Sequence, residues 1–140
     1  MRLLDTNVLI YAFEQDSPFK NWAHDLVVQS IIDRIAVVNP VIIAELAIGI
    51  EEPESLSDKL SRWGIILTDL PCESSLRCAI AFGKYLNRRK TSPQGKLPAP
   101  KTPMPDFFIG AHASVMGWSI ATVDPDRYRS YFPEVSLIVP

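Results

Sequence analysis

Short apolar runs rich in β-branched residues alternate along the chain with longer segments of helical period, and this alternation restricts the fold more than any other feature. Residues 2–5, 35–38, 65–68, 118–123 and 136–139 read as strands, each too apolar to lie on a surface. Between them lie helical segments, two of which open with a cap followed by proline, Ser17-Pro18 and Asn39-Pro40. A strand that is apolar on both faces has to be covered on both. The order therefore predicts an α/β sandwich with a mostly parallel central sheet. In such a sheet ligands bind beyond the carboxyl ends of the strands.

At 140 residues, 47% of them hydrophobic, the chain supports one domain spanning 1–140. Cys72 and Cys78 have neither the spacing nor the histidine neighbours of a zinc or redox pair. An acid already at position 5 argues against a secretory leader. The longest uncharged run, 107–123, contains His112, Ser114, Ser119 and Thr122 and falls short of a membrane span. These features point to a cytoplasmic protein with no membrane partner.

The helical segments are expected near 8–13, 18–34, 41–50, 51–63, 73–90 and 107–116, with a short helical turn started by Asp124-Pro125. In the longest, 73–90, Leu76, Ala79, Ile80, Gly83 and Leu86 are assigned to the buried side, and Arg77, Lys84 and Arg88 to the opposite face. Net charge is only −2, but it is segregated. Residues 1–73 carry 5 basic and 12 acidic side chains, whereas residues 74–105 carry 7 basic and no acidic ones. Residues 91–105 hold five prolines, too many for a helix or central strand, and form an unusually long connection.

Four acids fall where a parallel sheet would gather them at one edge. Asp5 ends the first strand, Asp124 follows the strand before the last, Asp106 opens a helix and Glu45 lies inside one. Asp5, Asp106 and Asp124 are also good N-caps, so capping competes with chemistry for each. Glu45 resists that explanation, being the single charge between Arg34 and Glu51. Burying it bare costs several kcal/mol. Two carboxylates about 4 Å apart repel by roughly 4 kcal/mol at an effective dielectric near 20. A shared pocket therefore calls for proton uptake or a cation, and oxygen-only donors suit Mg²⁺ or Mn²⁺. Such an ion makes water a nucleophile and shields charge developing on phosphorus, which is phosphodiester hydrolysis. His24 and His112 are read as ordinary helix residues.

The segments Leu3-Leu4-Asp5-Thr6-Asn7-Val8-Leu9-Ile10, Ile42-Ile43-Ala44-Glu45-Leu46, Pro105-Asp106-Phe107-Phe108-Ile109-Gly110-Ala111-His112-Ala113 and Ala121-Thr122-Val123-Asp124 resemble the PIN domain. More narrowly, the chain is similar to VapC-type toxins of toxin–antitoxin pairs, essentially from end to end. The resemblance implies a metal-dependent endoribonuclease with Asp5, Glu45, Asp106 and Asp124 as its acidic quartet. Asp5 and Asp106 would be the principal ligands of Mg²⁺ or Mn²⁺. Glu45 and Asp124 would complete the pocket, and Thr6, Asn7 and Thr122 would support it by hydrogen bonding. Asp126 could replace Asp124, although a surface role is favoured for it. The family also implies a VapB-type antitoxin whose C-terminal segment inserts near the acids, and a toxin homodimer.

The chain departs from many relatives in the length of 91–105, which bears on substrate choice. Arg88, Arg89, Lys90, Lys96 and Lys101 are candidates for holding RNA phosphates, contacts that position without reading sequence; the alternative is a solvated helix end. Two other functions compete with the nuclease. One is a catalytically silent PIN-fold module that binds RNA or protein. The other is an aspartyl phosphatase or receiver-like domain, ranked last because Asp5-Thr6-Asn7 lacks a second acid.

Overall fold

The structure, a computed structural model, describes residues 1–14 and 16–140. In chain order the elements are β1 (Arg2–Leu4), α1 (Thr6–Phe13), α2 (Lys20–Ile32), β2 (Ala36–Val38), α3 (Pro40–Ala47), α4 (Leu56–Arg62) and β3 (Ile66–Leu67). They continue with α5 (Glu73–Lys90), α6 (Pro105–Met116), β4 (Ser119–Ala121), α7 (Asp126–Tyr131) and β5 (Leu137–Ile138). Single 3₁₀ turns at Pro53–Ser55 and Pro93–Lys96 punctuate the connections. No helix among the described residues is long and apolar enough to cross a membrane.

All five strands are parallel, in the order β3-β2-β1-β4-β5. Leu3 is central, paired with Val37 on one side and Ile120 on the other. Strands covered on both faces must be apolar throughout; Leu3, Leu4, Ala36, Val37, Val38, Ile120 and Ala121 are all fully buried. The helical layers complete an α/β/α arrangement. From β1 the chain builds outward to β2 and β3, then returns to place β4 on the other side of β1. The crevice beyond the carboxyl ends of β1 and β4 is thus the topological switch point where open α/β sheets bind ligands.

Of the expected caps, Asp5 and Asn39 bond helix starts, whereas Ser17, Asp106 and Asp124 do not. Asn39 caps α3 as expected, its Oδ1 accepting from Ile42 N–H at 3.1 Å, with Pro40 in the first turn. Ser17 instead makes a turn, its Oγ accepting from Phe19 N–H, and α2 begins at Lys20. Asp106 does not cap α6. Pro105, whose fixed φ suits the first helical position, starts the helix after Met104, leaving Asp106 in the first turn with its side chain free to point outward.

Helix α5 spans the expected residues but is rotated relative to the expected faces. Ser74, Cys78, Ala81 and Phe82 are buried, whereas Leu76 and Ile80 are 74% and 56% exposed. The small side chains let α5 lie close against α6. Arg77 turns inward: its guanidinium lies 4.6 Å over the Phe132 ring, donates to Tyr131 O at 2.9 Å and meets Glu134 at 2.6 Å. Ser114 Oγ on α6 donates to the same Glu134 carboxylate. This knot fastens α5, α6 and the end of α7.

Beside it, the Phe107 ring touches Phe82, Tyr85, Tyr131 and Phe132 at centroid distances of 5.4–6.2 Å. Gly110 permits that packing, since a Cβ there would lie 2.4 Å from the Phe132 ring. Helix α6 ends at Gly117, whose φ of +65° makes the left-handed turn into β4.

Candidate functional site

Asp5 stands at the switch point. Its backbone N–H still pairs with Ala121 O of β4 at 3.0 Å, and the chain then leaves the sheet as α1. One carboxylate oxygen accepts from Thr6 N–H at 2.8 Å and so caps α1; the other accepts from Thr122 Oγ1–H at 2.8 Å. Thr122 in turn accepts Asp124 N–H at 3.1 Å. The residue is 6% exposed. Burial above all, with the charges of Asp106 and Glu45, pushes its carboxyl from the ordinary 3.8 up to about 6, against the opposing pull of the Thr122 and Thr6 hydrogen bonds.

Glu45 is half-buried on α3, and Thr6 Oγ1 donates to its Oε2 at 2.5 Å. Asp106, in the first turn of α6, is ion-paired with Arg127 of α7. The two helices carrying these acids are tied together behind the pocket. Because Asn39 Oδ1 is committed to capping α3, its amide N–H donates to His112 Nδ1 at 3.2 Å. His112 is fully buried on α6 and lies against Trp118, and burial lowers its pKa. It is therefore a neutral imidazole with its proton on Nε2. Nothing in its sequence context distinguished it; only the pairing with Asn39, 73 residues away, reveals its task.

Tyr128, the residue after Arg127, is 1% exposed, and among the described residues its hydroxyl has no hydrogen-bond partner. Burial, reinforced by the charges of Asp5, Asp106 and Glu45, raises its pKa well above the ordinary 10.0 and keeps it a donor. In the sequence Tyr128 carries no distinguishing mark, because an aromatic residue in a short helix signals packing before chemistry.

The remaining expected residues are spread more widely. Asp124 is exposed at the rim, linked to Asp5 through Thr122, and Asp126 is exposed on α7. Asn7 is exposed and lines a groove of 650 Å³ with Thr6 and Glu45. The groove runs between α1, α3 and α4 and is otherwise apolar apart from Glu14, with Phe13, Ile48 and Trp63 exposed along it. Arg88, Lys90, Lys96 and Lys101 are exposed. Arg89 turns back instead, bonding the carbonyls of Leu97 and Pro98 at 3.0 Å and Tyr85 Oη at 3.3 Å, which holds the proline-rich connection to α5. Tyr85 also touches Phe107, so this basic end of α5 lies beside the helix start that carries Asp106.

Asp5 thus feels the charges of Asp106 and Glu45, and the three acids offer oxygen donors only. That donor set fits a hard divalent cation, and the unpaired Tyr128 hydroxyl marks a place for a polar occupant. As they stand, each acid is held by an internal partner. Among the described residues no three His, Cys, Asp or Glu side chains form a group that could hold a metal ion.

A family model described as PIN domain matches residues 2–133. No curated protein sequence matches the chain. Among solved structures it is similar to DNA-bound VapBC from Salmonella typhimurium, with a TM-score of 0.64 and 16% identity over 99% of this chain and 96% of that one. It is also similar to VapBC-1 from nontypeable Haemophilus influenzae, with a TM-score of 0.61, 18% identity and coverage of 99% and 96%. FitAcB from Neisseria gonorrhoeae gives 0.59, 20% identity and coverage of 99% and 96%. At these identities the likeness concerns the fold.

Proposed function

The chain belongs to the PIN domain family, and on that premise we propose that it is a Mg²⁺- or Mn²⁺-dependent endoribonuclease, the VapC-type toxin of a toxin–antitoxin pair. The observation that carries the proposal is Asp5: a buried carboxylate at the sheet's switch point, opposed by two further acids. A fold that needed only a cap there would be served by serine without that repulsion.

Asp5, Glu45, Asp106 and Asp124 would hold the ion. It would supply a water of lowered pKa and shield the charge that develops on phosphorus. Thr122 and Thr6 fix the Asp5 and Glu45 carboxylates, so that little reorganisation is needed when substrate arrives. Asp124 is the most exposed of the four. Arg88, Lys90, Lys96 and Lys101 hold the RNA backbone, and Arg89 keeps the connection bearing two of them in place. Tyr128 remains protonated and lends a donor to the crevice.

The solved relatives named above are VapBC and FitAB assemblies, which supports a VapB-type antitoxin as partner. The apolar groove that ends at Thr6, Asn7 and Glu45 is the surface for its C-terminal segment. The exposed stripe of Leu76, Ala79 and Ile80 on α5, with half-buried Gly83 beside it, is the surface for a second copy in a homodimer. The compartment is the cytoplasm, where RNA and antitoxin are both met.

Cleavage of single-stranded and structured RNA, with EDTA and Asp5→Asn as controls, tests the reading. Divalent-dependent cleavage by the wild type alone is expected; equal cleavage by the variant would defeat it. Metal-dependent thermal stabilisation without cleavage of any RNA would instead favour a catalytically silent binding module.

A further inference from the structure

Arg127 occupies a position for which the proposed chemistry has no use. Its Nη1 donates to Asp106 Oδ2 at the mouth of the crevice, where the two side chains are 38% and 31% exposed. A guanidinium carries five N–H donors in a rigid plane, and among the described residues Asp106 alone receives one from Arg127. A second, independent observation lies one residue further on. The Tyr128 hydroxyl is fully buried within reach of the charges of Asp5, Asp106 and Glu45, and among the described residues it has no hydrogen-bond partner. Third, Asp106 is held by a charge, whereas Asp5 and Glu45 are held by hydroxyl or backbone donors.

One carboxylate cannot serve a guanidinium and a dication equally well, because the two cations repel each other. A guanidinium is weakly hydrated, and its planar fork matches two phosphate oxygens at once. We propose that Arg127 is the resident counter-charge of Asp106, displaced when the divalent cation binds, and that the released guanidinium then grips a phosphate group at the pocket mouth. The inference rests on the metal-dependent reading given above. It makes Arg127 both a competitor for the metal and a phosphate ligand, so the basic surface of the pocket changes with the ion.

Mn²⁺ binding, followed by calorimetry on wild type, Arg127→Gln and Asp5→Asn, separates the possibilities. Relief of a partly exposed charged hydrogen bond should tighten Mn²⁺ binding to Arg127→Gln by about tenfold, whereas Asp5→Asn should lose binding. In Mg²⁺, inorganic phosphate should bind Arg127→Gln about tenfold more weakly than wild type, and without Mg²⁺ the two proteins should not differ. Arg127→Lys, which keeps the charge but not the fork, should fall between them. The wild type can be read directly as well, since its Arg127 guanidinium NMR signals should shift on adding Mg²⁺ and again on adding phosphate. Unchanged Mn²⁺ affinity in Arg127→Gln, with the wild type binding normally, would overturn the inference and leave the nuclease reading intact. Equal phosphate binding in Mg²⁺ would overturn the phosphate role. Absence of Mn²⁺ binding in both proteins would remove the nuclease reading along with the inference.

Discussion

In the absence of divalent metal, replacing Asp5 by asparagine should stabilise the protein at neutral pH. The folded state raises the Asp5 pKa from 3.8 to about 6, so the native protein holds this proton more tightly than the unfolded chain does. The stability contributed by the group is therefore complete below about pH 3.8, falls as pH rises and is gone above about pH 6. At 1.36 kcal/mol per factor of ten, the ionised form costs about 3 kcal/mol at pH 8. Asparagine avoids that cost and can keep the Thr6 cap through its carbonyl oxygen. Its amide group faces Thr122 Oγ1, which already accepts Asp124 N–H. The Thr122 proton then loses its acceptor, at about 1 kcal/mol. The net gain at pH 8 is about 2 kcal/mol, or roughly 6 °C in melting temperature for a domain of this size. Near pH 4 the gain vanishes and the variant is slightly the weaker protein. Thermal unfolding in EDTA from pH 4 to 8 should show the two curves crossing, and Mn²⁺ should reverse their order at pH 8 by stabilising only the wild type. Parallel curves, or a variant less stable than wild type at pH 8 in EDTA, would show that burial and the neighbouring acids do not raise the Asp5 pKa in the folded state.

Three further outcomes follow from contacts described above. Gly110→Ala forces a methyl against the buried Phe132 ring and should cost about 2 kcal/mol, read as a lower urea midpoint. Asn39→Ala removes the α3 cap and strands His112 Nδ1, together about 2 kcal/mol in urea unfolding. Asn39→Asp, which keeps the cap, should recover about half of that. Combining Arg88→Gln, Lys96→Gln and Lys101→Gln in an Asp5→Asn background should weaken single-stranded RNA binding and flatten the slope of log affinity against log salt by about 2; an unchanged slope would move the RNA elsewhere.

What could be read from the chain, and what could not, divides by distance along it. Strand and helix order and the Asn39 cap are local, and the sequence carries them in residue type and spacing. The rotation of α5 is not local. Its residues are apolar on more than one side, and the larger ones, Leu76 and Ile80, suggested the core, while the observed contact with α6 uses Cys78, Ala81 and Phe82. Arg77 looked like part of a solvated face because Glu134, its partner, lies 57 residues further on. Asp5, Glu45 and Asp106 could be singled out because charge is rare in such apolar surroundings. That Arg127 already answers one of them could not, since an arginine in a short surface helix has no distinguishing pattern.

Strand β1 precedes the other described elements in the chain and is among the last to be completed. Its neighbour β4 begins at residue 119, and the hydroxyl that steadies Asp5 comes from 117 residues downstream. A growing chain can emerge with Asp5, Glu45 and Asp106 all present and still possess no crevice, because the wall supplied by β4 and Thr122 is missing. Whatever chemistry this pocket performs is therefore withheld from any chain that stops short of β4 and Thr122.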